Sequence, residues 1–196
     1  MRDYTAHYRV HVYEVDAFGE LSTAGLLRFL QQTASDASAQ IGYDLQWYER
    51  EGTVWLIRRT TIERLAPILY DDQLAVRTWV ADIRRVRSER AYEVTCGEGP
   101  VVARGSTDWV YCDSKRGVPV RVPQALQTAL MPDGVRSQGR RPPASPEPPP
   151  QAFRTRRTVE LADLDSVAHV NNARYAAYFE QSLYDALDAA GYAGTG

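Results

Sequence analysis

Early in the chain apolar residues recur at Leu26, Leu27, Leu30, Ala34, Ala37 and Ile41, the three-to-four spacing of one helix face, and Ser22 or Thr23 just ahead can cap its first turn. The helix is expected to run about five turns and to stop at Gly42, which takes the left-handed conformation without steric cost. Before it, 8–15 reads as a strand. After it the period changes to two: Leu74, Val76, Thr78 and Val80 fall on one face of a strand, Ala75, Arg77, Trp79 and Ala81 on the other. Similar strands are expected at 53–64, 88–96 and 101–112, separated by turns at 67–72, 84–87 and 97–100. One strand, one long helix and four strands able to pair antiparallel make an α+β layer, a sheet packed on a single helix.

The pattern lapses at 142–150, PPASPEPPP, which holds six of the eleven prolines and can bury almost nothing. The expected organisation is a complete domain over 1–131, a linker over 132–152 and an incomplete second unit over 153–196. That last part begins with a strand at 155–161, followed by a helix striped with Tyr175, Ala176, Phe179, Leu183, Ala186, Leu187 and Ala190 that again meets a glycine, Gly191.

Sliding the chain on itself by 149 positions aligns 10–43 with 159–192 without a gap, and eight of the 34 pairs are identical, among them Asp16/Asp165, Gln32/Gln181, Asp36/Asp185 and Gly42/Gly191. Two unrelated amphipathic helices would share about two or three by composition. The second part is therefore the opening of a second copy of the first. A lone amphipathic helix is marginal in water, so this copy must borrow a core or belong to a longer protein, and truncation of a longer protein is the expectation.

The densest polar cluster, Asp163 to Asn172, lies ahead of the second helix. Unpaired N–H groups and the positive end of the dipole at a helix start polarise a carbonyl oxygen, and a carboxylate with an imidazole beside it suits hydrolysis. The same residues also suit plain capping, with Asn171 or Asn172 bonding backbone amides and Asp165 favouring the dipole.

The motif D-L-D-x-x-x-H-V-N-N-x-x-Y over 163–175 resembles thioesterases of the hotdog fold, in which a long helix is wrapped by an antiparallel sheet. The two-copy arrangement resembles the acyl-acyl-carrier-protein thioesterases of bacteria and plants, which are tandem hotdogs. Further matches run in order along the chain: Tyr13-Glu14-Val15-Asp16, 59–79 with Tyr70-Asp71-Asp72 at its turn, 84–95, Gly105-Ser106-Thr107-Asp108-Trp109-Val110, and Arg121-Val122-Pro123. The fold implied is one complete hotdog plus the strand and helix that start a second.

In that family an Asp, an Asn and a His of the second copy, ordered D-x-N-x-H, are implicated in thioester hydrolysis. Asp165 and His169 take the first and third places, while Val167 stands where the Asn would be and can neither donate nor accept. The resemblance assigns Asp165 as the base that activates water or as a nucleophile, His169 as the group that positions water or thioester, and the amides around Asn171 and Asn172 as the clamp on the carbonyl oxygen. A further acidic or cysteine residue of the family belongs to a strand expected after the end of this chain. The first copy is implied to hold the acyl chain, with Leu26, Leu27, Leu30, Trp55 and Ile57 lining or adjoining its channel, plain core being the other reading. Asp16 and Glu20 join this substrate-binding set as a carboxylate pair, since some single hotdog thioesterases resemble this in using one acidic residue.

The activity expected is release of fatty acids from acyl carrier protein in fatty acid biosynthesis, with water and without metal or organic cofactor. Hydrolysis of acyl-coenzyme A and a non-catalytic acyl-binding module are the alternatives. With 23 basic and 25 acidic residues the chain has no field to attract nucleic acid, and no stretch approaches a membrane span. The expected partner is an acyl carrier protein bearing its phosphopantetheine-linked acyl chain, met by Arg84, Arg85, Arg87 and Arg90 with Arg136, Arg140 and Arg141, or else these arginines are solvated turns; a homodimer is also expected. Cys96 and Cys112 read as buried reduced thiols, His7 and His11 as solvent-exposed, and the compartment as cytoplasmic.

Overall fold

Ser22 starts the central helix α1 (Thr23–Ala39): its Oγ accepts from Gly25 N–H at 3.0 Å, satisfying one of the amides that a helix start leaves open. This computed structural model describes residues 3–134 and 147–192. α1 ends at Ala39, and Gly42 at φ +88° turns the chain just beyond it.

Five strands form one antiparallel sheet: β1 (Tyr4–Arg9), β2 (Thr53–Arg64), β3 (Gln73–Arg84), β4 (Arg87–Cys96) and β5 (Val101–Asp113), in the spatial order β1-β3-β4-β5-β2. Register shifts at Ile57/Arg59 and Val80/Asp82 mark bulges that increase local twist and help the sheet curl around a helix. The alternation expected for β3 holds, with Leu74, Val76, Thr78 and Val80 all buried. They lie on the face that meets α1, where Leu26, Phe29, Leu30 and Ala34 pack with Leu74, Val76, Tyr92 and Val94. Midway along β5, a Cβ added to Gly105 would stand 3.3 Å from Leu30 Cδ1 and 3.3 Å from Thr61 O, so the missing side chain lets the helix approach the sheet.

Three expectations change. The first strand is not 8–15 but Tyr4–Arg9, because the ladder ends where Arg9 meets Gln73, the first residue of β3, and Val10 bonds only the turn residues Asp71 and Asp72 ahead of it; Glu14 then folds back to accept from His11 N–H. The expected strand at 155–161 joins no sheet among the described residues and is exposed, held to α4 by the Arg157–Asp185 ion pair, whereas the equivalent β1 is held by β3. Two short helices, α2 (Leu45–Arg50) and α3 (Gln124–Leu130), were not expected; they close the far end of the core, where Tyr48, Val80, Tyr111, Leu126 and Leu130 cluster. Cys112 is buried and Cys96 only partly so, both as free thiols. Most of the proline-rich segment, with Arg136, Arg140 and Arg141, lies outside the described residues.

The second helix, α4 (Asn172–Ala189), begins 149 positions after α1, in register with the sequence repeat. It packs on α1 through equivalent residues of the two copies, Ala24 and Leu27 against Ala173 and Ala176. Its own apolar stripe, equivalent to the buried Leu26, Leu30 and Ala34, is Tyr175, Phe179 and Leu183, and these are exposed. No helix among the described residues is long and apolar enough to cross a membrane.

The two copies should therefore answer differently to the same change. Leu30 is 3% exposed and Phe179, its repeat partner, 71%. Denaturant midpoints should show Leu30→Ala costing about 2–5 kcal/mol, and Phe179→Ala under about 0.5 kcal/mol in this chain.

Candidate active site

The loop ahead of α4 folds as its counterpart ahead of α1 does. Asp165 N–H donates to His169 O at 2.8 Å, and Asp16 N–H to Glu20 O at 2.7 Å. Asp165 Oδ1 accepts from the amides of Val167 and His169 (3.0 and 3.2 Å), as Asp16 Oδ1 does from Phe18 and Glu20 (2.9 and 3.2 Å). Leu164 bridges Val170 as Val15 bridges Leu21. An aspartate seven residues before the helix thus closes the turn with its own carboxylate, which is why it recurs in both copies. The residue at the apex is Gly19 at φ +79° in the first copy and Ala168 at φ +59° in the second, where the Cβ makes that backbone costlier by about 1–2 kcal/mol.

Of the four residues expected to act, Asp165 has one oxygen anchored and Oδ2 without a partner among the described residues. Its contact with His169 is to the backbone amide; the imidazole is exposed and makes no hydrogen bond among the described residues. Asn171 caps α4, its Oδ1 accepting from Ala173 N–H at 2.9 Å, and its own N–H donates to Asp163 O at 2.9 Å. Of the amides expected around Asn171 and Asn172 as the clamp, that of Asn171 is thus already occupied. Asn172 Nδ2 lies 3.5 Å from Thr60 Oγ1 on β2, which brings the start of α4 to the first copy's sheet, and Asn172 N–H has no acceptor among the described residues. In α1 the equivalent amide, Thr23 N–H, is taken by Glu180 Oε1 reaching across from α4 at 2.7 Å. Glu180 was not anticipated, and its repeat partner Gln31 gave no hint of it.

The expected acyl-binding set is dispersed. Leu26 and Leu30 are closed core, and Leu27 lies in the α1–α4 contact. Trp55 donates from Nε1 to Tyr48 Oη at 3.1 Å in the far cluster, and Ile57 is half-buried on β2. Asp16 is committed to its turn, while Glu20 bridges Leu69 through its backbone. Arg90, expected among the surface arginines, is buried on β4 because its position alternates inward with Ser88 and Tyr92; Arg84, Arg85 and Arg87 are exposed at the β3–β4 hairpin.

The most strongly held carboxylate is Asp163, 2% exposed. The Glu160 amide, the Tyr178 hydroxyl and the Arg174 guanidinium all donate to it, and they draw its pKa from 3.8 down to about 2. Burial opposes this and is outweighed. Arg174 and Tyr178, one turn apart on α4, were the sequence signal for this anchor. With its pKa depressed, the contribution of Asp163 is complete above the ordinary value of 3.8 and is lost as pH falls through about 2. Hydrogen exchange at pH 7 should therefore show the amides of Glu160 and Asn171 exchanging at least roughly tenfold faster in Asp163→Asn, with β3 and β4 unchanged; in the unaltered chain the same loosening should appear only as pH falls from about 4 toward 2.

Residues 2–130 match the family described as the acyl-ACP thioesterase N-terminal domain. The chain is 24% identical over 190 residues to the chloroplastic acyl-[acyl-carrier-protein] hydrolase FATB2 of Cuphea viscosissima, covering 90% of this chain and 46% of that protein, so it spans about half the length of this relative. It is 30% identical over 131 residues to the 1,4-dihydroxy-2-naphthoyl-CoA hydrolase of Thermosynechococcus vestitus, covering 66% of this chain and 88% of that one. Among solved structures it resembles the 12:0-ACP thioesterase of Umbellularia californica, with a TM-score of 0.76–0.79 shared by that enzyme and two bacterial thioesterases; for the Umbellularia enzyme the TM-score is 0.79 at 16% identity, over 95% of this chain and 76% of that one. The sheet-wrapped helix, the repeated turn and the family match agree: the chain belongs to the acyl-ACP thioesterase family.

Proposed function

We propose that this chain serves hydrolysis of fatty acyl thioesters of acyl carrier protein, with the reacting carbonyl at the first turn of α4. The observation that carries this reading is the difference between two otherwise equivalent helix starts: Glu180 fills the amide of α1, and the amide of Asn172 on α4 stays open. An open amide at a helix start donates to the oxyanion that forms when a thioester carbonyl is attacked. Asp165, with Oδ1 fixed by two amides, offers Oδ2 to take a proton from the attacking water. His169, exposed beside it, positions the water or the thioester. Collapse of the tetrahedral intermediate expels the pantetheine thiolate, which is protonated as it leaves, and frees the fatty acid.

On this reading 153–192 is the beginning of a second wrapped-helix unit, with the linker at 132–152 and the complete unit at 1–131. The exposed stripe on α4 supports it, because the matching stripe on α1 lies wholly beneath a sheet. Arg84, Arg85 and Arg87, exposed at one hairpin, suit the acidic surface of a carrier protein. A second reading, hydrolysis of an acyl-coenzyme A, is favoured by the 30% identity to the coenzyme A thioester hydrolase.

Free thiol released from palmitoyl-acyl carrier protein and palmitoyl-coenzyme A decides between them. The proposal expects faster turnover of the carrier-protein thioester. Asp165→Asn should lower kcat about 10²- to 10⁴-fold with carrier-protein binding retained. Unchanged turnover in Asp165→Asn overturns the assigned base, and binding without turnover in the unaltered chain favours an acyl-binding module.

A further inference from the structure

One buried cation lacks an anion. Arg90, midway along β4, is 7% exposed; its Nη1 lies 3.5 Å from Thr78 Oγ1, and it forms no ion pair among the described residues. The charges able to act on it belong to the phenols of Tyr92 and Tyr48, and burial raises both, Tyr48 to about 12, so both are neutral at pH 7. Arginine stays protonated at any physiological pH, and an uncompensated guanidinium out of water is unfavourable. Tertiary structure has nonetheless placed it in the wall of a cavity of about 550 Å³, the size of a small-molecule site.

The other walls narrow the ligand. Ile41, Val80 and Leu130 are apolar, while Tyr4 and Gln40 bring a hydroxyl and an amide. Asp3, at the same cavity, is already paired with Arg77, and the C-terminal end of α1 there brings carbonyls and no cation, so Arg90 offers a single positive charge. A dianion such as phosphate would keep one of its charges unmatched there. A single guanidinium matches one carboxylate, held by two parallel N–H donors.

We infer that this cavity binds the carboxylate at the end of an alkyl chain, with Arg90 as its counter-ion and the apolar wall against the chain. The site stands apart from the proposed hydrolysis, since none of Asp165, His169 and Asn172 lines it. Two sources present the same chemistry: a free fatty acid, or the far end of an acyl thioester that carries a second carboxyl group.

Calorimetry on the whole chain tests this with decanoate, decanol and inorganic phosphate. Decanoate should bind at least roughly tenfold more tightly than decanol, a preference lost in Arg90→Met. Without ligand, Arg90→Met should melt at or above the wild-type Tm, because an apolar side chain of similar length replaces an unpaired buried charge. Equal affinity for decanoate and decanol, tighter binding of phosphate, or a preference that survives Arg90→Met overturns the inference. Should the variant fail to fold, the wild-type comparison of acid with alcohol decides alone. A thioester of decanedioic acid with one free carboxyl separates the sources: binding equal to decanoate assigns the site to the acyl chain's far end, and binding of decanoate alone assigns it to the free acid.

Discussion

α4 is joined to the body of the molecule through a patch that two alanines make close. Ala173 and Ala176 are its buried residues, seated on Ala24 and Leu27 of α1. Around this patch Glu180 reaches Thr23, Asn172 reaches Thr60, and Tyr184 meets Phe18 with ring centroids 6.4 Å apart. The candidate site depends on this junction, because its amide belongs to one copy and the sheet beside it to the other. Side chains of this size allow two helix backbones to pack tightly, and close packing is felt at the level of single methylene groups.

Duplication gives the two loops one backbone design, and small departures give them different chemistry. A carboxylate closes each turn, and each helix carries the same side-chain links, such as Gln32 to Asp36 and Gln181 to Asp185. The departures fall where chemistry would be done. Histidine replaces Glu20, alanine replaces a left-handed glycine, and one helix lends a carboxylate to the other's first amide without receiving one. Backbone cost retained at a loop apex is common where a functional constraint fixes the geometry.

Much of this was legible in the sequence because periodicity reports burial directly. The helix with Leu26 and Leu30 inward, the strand with Leu74, Val76, Thr78 and Val80 inward, and the repeat itself follow from spacing. The strand expected at 155–161 failed for a reason that spacing does not carry: a strand is a pairing, and its partner lies outside its own residues. The same limit hid α2 and α3, too short to show a period, and the burial of Arg90, whose charge outweighs its place in an alternating strand. At the site, Asp165 and His169 stood out by type, but which atoms were already occupied did not. Anchoring of Asp165 Oδ1 by amides, the use of Asn171 as a cap and the reach of Glu180 are matters of three-dimensional neighbours.

Gly105 ties these regions together mechanically. It is the point on β5 where the sheet has no side chain to hold α1 away, and α1 carries α4 on the neighbouring face of Ala24 and Leu27. Any group added there must lift the helix or shift the neighbouring carbonyl of Thr61, one residue along β2 from the Thr60 that meets Asn172. The thickness of the first layer at a single atom-sized gap therefore bears on where the second helix sits, and with it on the alignment of the candidate site across the seam.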